Sequence, residues 1–88
     1  MTIELKKFGR ILTSRPAGRD AWLAAQAYIL RGKKPSEKIR VDFDGVNVLT
    51  PSWADEFLSP LFAAYPNQVE LIPSKNPTVI AALEFVRK

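Results

Sequence analysis

Residues 39–61 read IRVDFDGVNVLTPSWADEFLSPL, and a change of period inside that stretch decides the fold. At its start Ile39, Val41 and Phe43 alternate with Arg40, Asp42 and Asp44, the spacing of a strand with one buried face. From Pro51 onward the apolar residues fall at helical spacing instead: Trp53, Phe57, Leu58 and Leu61, with Phe62 and Tyr65 beyond. Proline suits the first helical position, where its missing N–H costs nothing, and Thr50 just ahead of it is a good cap. A strand therefore gives way to a helix at the hydroxyl-bearing step around Thr50, Pro51 and Ser52.

The same helix signature occurs twice more, at Pro16 and at Pro77, the latter behind a second capping residue, Asn76. The first run predicts a helix from about Pro16 to Leu30, stopped by Gly32. Its inward stripe is Trp22, Leu23, Ala25, Ile29 and Leu30, with Asp20, Ala24 and Arg31 facing water. Gln26 falls inside that stripe and would need a hydrogen-bond partner. The last helix shows Val79, Ile80, Leu83 and Val86. Pro60 lies within the middle helix, where it forfeits a hydrogen bond and clashes with the preceding turn, so a kink or an early stop is expected there.

Strands are expected at Ile3 to Phe8, Ile39 to Phe43 and Val69 to Ile72. Strand and helix alternate along the chain, which calls for right-handed crossovers and a mainly parallel sheet. The expected fold class is α/β, a small two-layer domain with about three helices. The 88 residues are enough for one domain with one modest core, spanning residues 1–88.

Composition narrows the chemistry. The chain has 47% hydrophobic and 25% charged residues, ordinary values for a folded soluble protein. It contains neither cysteine nor histidine, so disulfides, thiolate and imidazole metal sites, and the commonest acid–base and nucleophilic side chains are out of reach. No cofactor is expected. The N-terminal residues MTIELKKFGR carry charge and lack the apolar centre of a secretory signal, and no stretch is apolar for long enough to span a membrane. A cytoplasmic protein without membrane contact is the expectation.

The formal net charge of +4 is spread along the chain, with one local excess in RGKKPSEKIR, residues 31–40. That segment could hold a phosphate backbone, but it has no interleaved aromatic residue and reads as a solvated connection. Nucleic-acid binding is therefore an alternative without further support.

Two motifs could carry chemistry. VDFDGV, residues 41–46, looks like the opening motif of the haloacid dehalogenase-like phosphatases, in which paired aspartates act around magnesium. The resemblance implies a phosphoryl-transfer site on Asp42 and Asp44, since carboxylates at a strand end bind hard cations and can form an acyl phosphate. The later lysine and acid pair of that family are missing. The plain alternative is an outward pair of acids followed by an Asp44-Gly45 turn.

The whole stretch 39–61 resembles the STAS-like domain family of unknown function, through Asp42, Phe43, Val46, Ser52, Ala54, Asp55 and Glu56; Ser14-Arg15 before the first helix fits the same pattern. The family is similar to the STAS domains of anti-sigma factor antagonists. That resemblance implies a non-catalytic bacterial signalling module that docks on a protein partner, a histidine-kinase-like ATP-binding protein, and is switched by phosphorylation of a serine at a helix start. Laid on that pattern, Ser52 takes the place of the phosphorylated serine. Thr50 stands where those antagonists usually carry aspartate, and Trp53 where they carry glycine.

Ser52 has two readings. As a phosphosite it would gain from the helix N-terminus but would crowd Asp55 and Glu56 with like charge. As a cap, Ser52 with Asp55 approximates a capping box, and Thr50 competes for the same role one step earlier. The helix-start reading is favoured. Trp53 is expected to be buried, with an interface anchor as the alternative, and Trp22 to lie in the core. The expected partner surface comprises Arg15, Asp42, Thr50, Ser52, Trp53, Asp55 and Glu56. An internal pairing of Arg15 with Asp55 or Glu56 would make that surface architectural.

Overall fold

The computed structural model describes residues 1–86. Strands β1 (Thr2–Glu4), β3 (Ile39–Asp42) and β5 (Val69–Leu71) form a parallel sheet in the order β1-β3-β5. Strands β2 (Ile11–Leu12) and β4 (Val48–Leu49) form a separate parallel pair. The helices are α1 (Arg15–Ala24), α2 (Pro51–Ala64) and α3 (Pro77–Val86). The α/β architecture with small parallel sheets and three helices is as expected from the sequence.

Alternation in β3 places its residues as the pattern demands. Ile39, Val41 and Phe43 are buried, Arg40 is exposed, and Asp42 is half-buried. Residues Thr2, Arg40 and Glu70 stand side by side across the sheet and all three are exposed, so this face is open. The opposite face carries Ile3, Ile39 and Val41 into one core with Trp53, Ala54, Phe57, Leu58 and Leu61 of α2. Helices α1 and α3 both pack on α2, which lies between them.

Several expectations need correction. The first strand does not reach Phe8: after Glu4 the chain tightens into a 3-10 turn, Leu5–Phe8, and then turns at Gly9, whose φ of 133° suits glycine. Leu5 is buried by this turn and Phe8 closes against Trp53 and Phe57, with ring centroids 6.3 and 5.5 Å away. Packing of two large side chains on one side outweighs the alternation that suggested a longer strand. The short pair of β2 and β4 was not visible as strand pattern, because two residues are too few to show a period.

The first helix also differs from its predicted stripe. Its tight face is Gly18, Ala21 and Ala25, all buried, whereas Leu23 is half exposed and Trp22 only half-buried. Small residues let the two helices approach so closely that a Cβ at Gly18 would sit 2.6 Å from the Trp53 carbonyl oxygen. Beyond Ala24 the winding loosens into a π-type turn, Ala25–Ile29, and tightens again at Leu30–Gly32. Because the buried face runs through Gly18, Ala21 and Ala25, Gln26 lies off it, exposed, and needs no internal partner.

Pro60 neither stops α2 nor shortens it, since the helix runs through to Ala64. The surrounding Phe57, Leu58 and Leu61 are fully buried, and their packing holds the helix across the one lost hydrogen bond. On α3, Val79 and Ala82 are buried and Leu83 and Val86 half-buried, but Ile80 lies outside the stripe with 44% of its surface exposed.

Candidate functional site

The first turn of α2 is built by Thr50, not by Ser52. The Thr50 hydroxyl accepts the Trp53 N–H at 3.4 Å and donates to the Thr13 carbonyl at 2.8 Å. One side chain thus caps α2 and ties it to the segment that leads into α1. The Thr50 N–H adds a backbone bond to the Leu12 carbonyl at 3.0 Å, continuing the ladder of β2 and β4. Ser52 is the second helical residue and half-buried; its hydroxyl makes no hydrogen bond among the described residues. The capping box of Ser52 with Asp55 is therefore not formed. Ser14 caps α1 in the same manner as Thr50 caps α2, accepting the Ala17 N–H at 3.1 Å.

The two capped helix starts meet through an ion cluster. Arg15 Nη1 donates to Asp55 Oδ2 at 2.9 Å and lies 3.5 Å from Glu56 Oε1. Ser59 donates to the other Asp55 oxygen, Oδ1, at 2.7 Å. These hydrogen bonds, from Arg15 first and Ser59 second, hold the Asp55 carboxyl below its ordinary range, and burial opposes them. The same contact with Asp55 raises the Arg15 guanidinium further above its usual value. The side chains stay open to solvent, 49% exposed for Arg15, 38% for Asp55 and 32% for Glu56. Internal pairing assigns the cluster first to architecture: it clamps α1 to α2 beside their close approach at Gly18. Among the described residues, Nε and Nη2 of Arg15 make no hydrogen bond, so most of the donor fork is unspent.

Of the expected surface, Arg15, Thr50, Ser52, Asp55 and Glu56 gather at this rim. Trp53 does not join them as an anchor; it is 1% exposed and stacks on Phe57 at 5.1 Å and 17°. Burial was its expected state. Asp42 is elsewhere, because its neighbour Val41 points under the helices and alternation sends Asp42 to the open face of the sheet.

There Asp42 shapes a turn. Its Oδ1 accepts the Asp44 N–H at 3.0 Å, the Val46 N–H reaches the Phe43 carbonyl at 3.1 Å, and Gly45 takes the positive φ of 85°. The expected Asp44-Gly45 turn is present. No group of three or more acidic side chains that could hold a metal ion occurs among the described residues. In the basic segment, Lys33 lies 5.1 Å from the Tyr65 ring centroid and Glu37 accepts the Lys34 N–H at 3.2 Å. That hydrogen bond leads in lowering the Glu37 carboxyl from its ordinary value, followed by one from the chain's N-terminal ammonium.

Sequence reasoning misses a second role of Asn76, outside the rim, and the weight of Gly18 within it. Asn76 fills its expected role as a cap by accepting the Thr78 N–H at 2.9 Å, and its amide also donates to the Val46 and Asn47 carbonyls, both at 2.9 Å. Gly18 has no apolar weight in a helical run, and its spacing with Ala21 and Ala25 is the one signal the sequence offers for it.

No helix among the described residues is long and apolar enough to cross a membrane. No curated protein and no solved structure matches the chain. Residues 27–76 match the family described as STAS-like domain of unknown function (DUF4325). The matched stretch holds β3, β4, the whole of α2 and β5, and leaves Ser14 and Arg15 outside it. With more than half of its length matched, including the strand-to-helix step that carries the rim, the chain belongs to this STAS-like family.

Proposed function

We propose that the protein is a non-catalytic interaction module of a bacterial cytoplasmic signalling system, docking on its partner through the rim at the start of α2. The observation that carries this reading is the ion cluster itself. Arg15, Asp55 and Glu56 are paired yet substantially exposed, beside a half-buried serine at the second position of a capped helix. Membership in a STAS-like family supports the same reading, and resemblance to anti-sigma factor antagonists makes the partner a histidine-kinase-like ATP-binding protein.

Ser52 is the switch in this proposal. A phosphate there would add about −1.5 to −2 of charge at a helix N-terminus, which favours anions, but beside Asp55 and Glu56, which oppose it. Arg15 resolves the conflict, because its guanidinium can turn from the carboxylates to the phosphate. Phosphorylation would then open the clamp between α1 and α2 at its solvent side and change the surface a partner meets.

Affinity capture from native lysate tests this, with the captured proteins identified by mass spectrometry and the fold of each bait verified by circular dichroism. The wild type and Ser52→Ala are expected to retain a protein carrying an ATP-binding kinase-like domain, and Ser52→Asp to lose it. Recovery of no protein by a folded bait, or equal recovery by Ser52→Asp, would count against the reading.

A further inference from the structure

The sheet ends at β5, whose outer edge carries no further strand among the described residues. The Ile39 N–H donates to the Gln68 carbonyl at 2.8 Å and the Ile72 N–H to the Val41 carbonyl at 2.9 Å, so these positions of the β5 segment face β3. Alternation then turns the N–H and C=O groups of Val69 and Leu71 outward. Among the described residues, no backbone or side-chain group pairs with them. An unpaired edge of this kind is a template for another strand.

Beside the edge lies a groove of about 300 Å³ between the end of β5 and α3, lined by Leu71, Ile72, Val79, Ile80 and Leu83, with Glu84 among them. It explains why Ile80 stands outside the buried stripe of α3: the groove gives that side chain an apolar wall but no lid.

Charge decides what can fill it. Across the open face the register sets Thr2 beside Arg40 and Arg40 beside Glu70. A fourth strand would place its own residue next to Glu70. A second copy of β5 paired about Glu70 would set carboxylate against carboxylate, an arrangement that cross-strand pairs disfavour, whereas a lysine or arginine there would be favoured.

We propose that the β5 edge accepts an extended segment of another protein as a fourth strand, one in which a basic residue is flanked on both sides by apolar residues. The basic side chain lies against Glu70 on the open face, and the apolar neighbours, pointing the other way, enter the groove under α3. Main-chain hydrogen bonds to Val69 and Leu71 supply the binding, and the alternate side chains supply the choice. This surface is separate from the α2 rim and stands whether or not the rim binds a partner.

An acetylated hexapeptide alternating valine and lysine, titrated into the full chain, tests the proposal by amide hydrogen exchange. The Val69 and Leu71 amides are expected to gain protection, and the same peptide with glutamate in place of lysine to bind roughly fivefold more weakly. Glu70→Lys is expected to invert that order and Glu70→Gln to abolish the discrimination. Ser52→Asp is expected to leave peptide binding unchanged, so failure here and failure of the rim are distinguishable. Unchanged exchange at Val69 and Leu71 at millimolar peptide would overturn the proposal. So would equal binding of the two peptides, or self-association of the free chain through β5.

Discussion

At the scale of single residues, one hydroxyl and one glycine set how α2 meets α1 and the segment that leads into it. Thr50 and Ser52 differ by two positions, yet Thr50 makes three contacts with helix and neighbouring segment and Ser52 makes none among the described residues. Thr50→Ala is expected to cost about 1–2 kcal/mol of stability, the usual loss of a helix cap, while Ser52→Ala stays within about 0.5 kcal/mol. Urea unfolding of the two variants side by side checks this, and equal costs would return the cap to Ser52. Gly18→Ala tests close packing in the same assay. Its new methyl group would lie 2.6 Å from a backbone oxygen and 3.0 Å from the Trp53 Cα, neither of which can swing aside. A loss of about 1–3 kcal/mol follows from overpacking, although alanine is the better helix former.

At the scale of elements, α1 and α2 are held by a close apolar contact below and an ion cluster above. Asp55 has a lowered carboxyl in the folded chain, so the unfolded chain binds more protons in the acid range. The contribution is fully present above the unfolded value of about 3.9 and is lost as the pH falls through the lower folded value. Asp55→Asn is expected to flatten the acid limb of a stability-against-pH curve below about pH 4. Because Arg15 and Asp55 are both more than a third exposed, the effect shrinks with added salt. An unaltered acid limb in that variant would show that Arg15 does not hold Asp55 in solution. Helix α2 shows a related balance, since burial of three neighbouring side chains keeps it continuous across Pro60.

At the scale of the whole molecule, one core sits beneath one face of the sheet, and α2 supplies much of it. Phe57 is fully buried and touches Phe8, Trp22 and Trp53 at ring centroid distances of 5.5, 6.3 and 5.1 Å. Phe57→Ala is expected to cost about 3–5 kcal/mol. For a domain of this size that is a large part of a total stability of about 5–15 kcal/mol, so thermal denaturation should show a much lower midpoint or no cooperative transition. A small shift would mean that the aromatic group relaxes around the gap. The open face of the sheet contributes little to this core, which is why its charges, Arg40 and Glu70 among them, are available to other molecules.

What the sequence determined by itself were the features that local chemistry dictates. Alternation around Val41, helix starts at three prolines, the caps at Thr50 and Asn76, and the Asp44-Gly45 turn all follow from steric and hydrogen-bonding preferences acting over a few residues. The gathering of Thr50, Ser52, Asp55 and Glu56 at one helix start was legible for the same reason. Tertiary structure alone decided the rest. Arg15 reaches Asp55 across 40 positions of sequence, Gly18 matters only because another helix passes within contact distance, and Asp42 leaves the rim because the sheet lies between them. Periodicity reports which face of an element is apolar; it carries no information about how near the next element comes, and that distance sets which small residue is indispensable and which charge finds a partner.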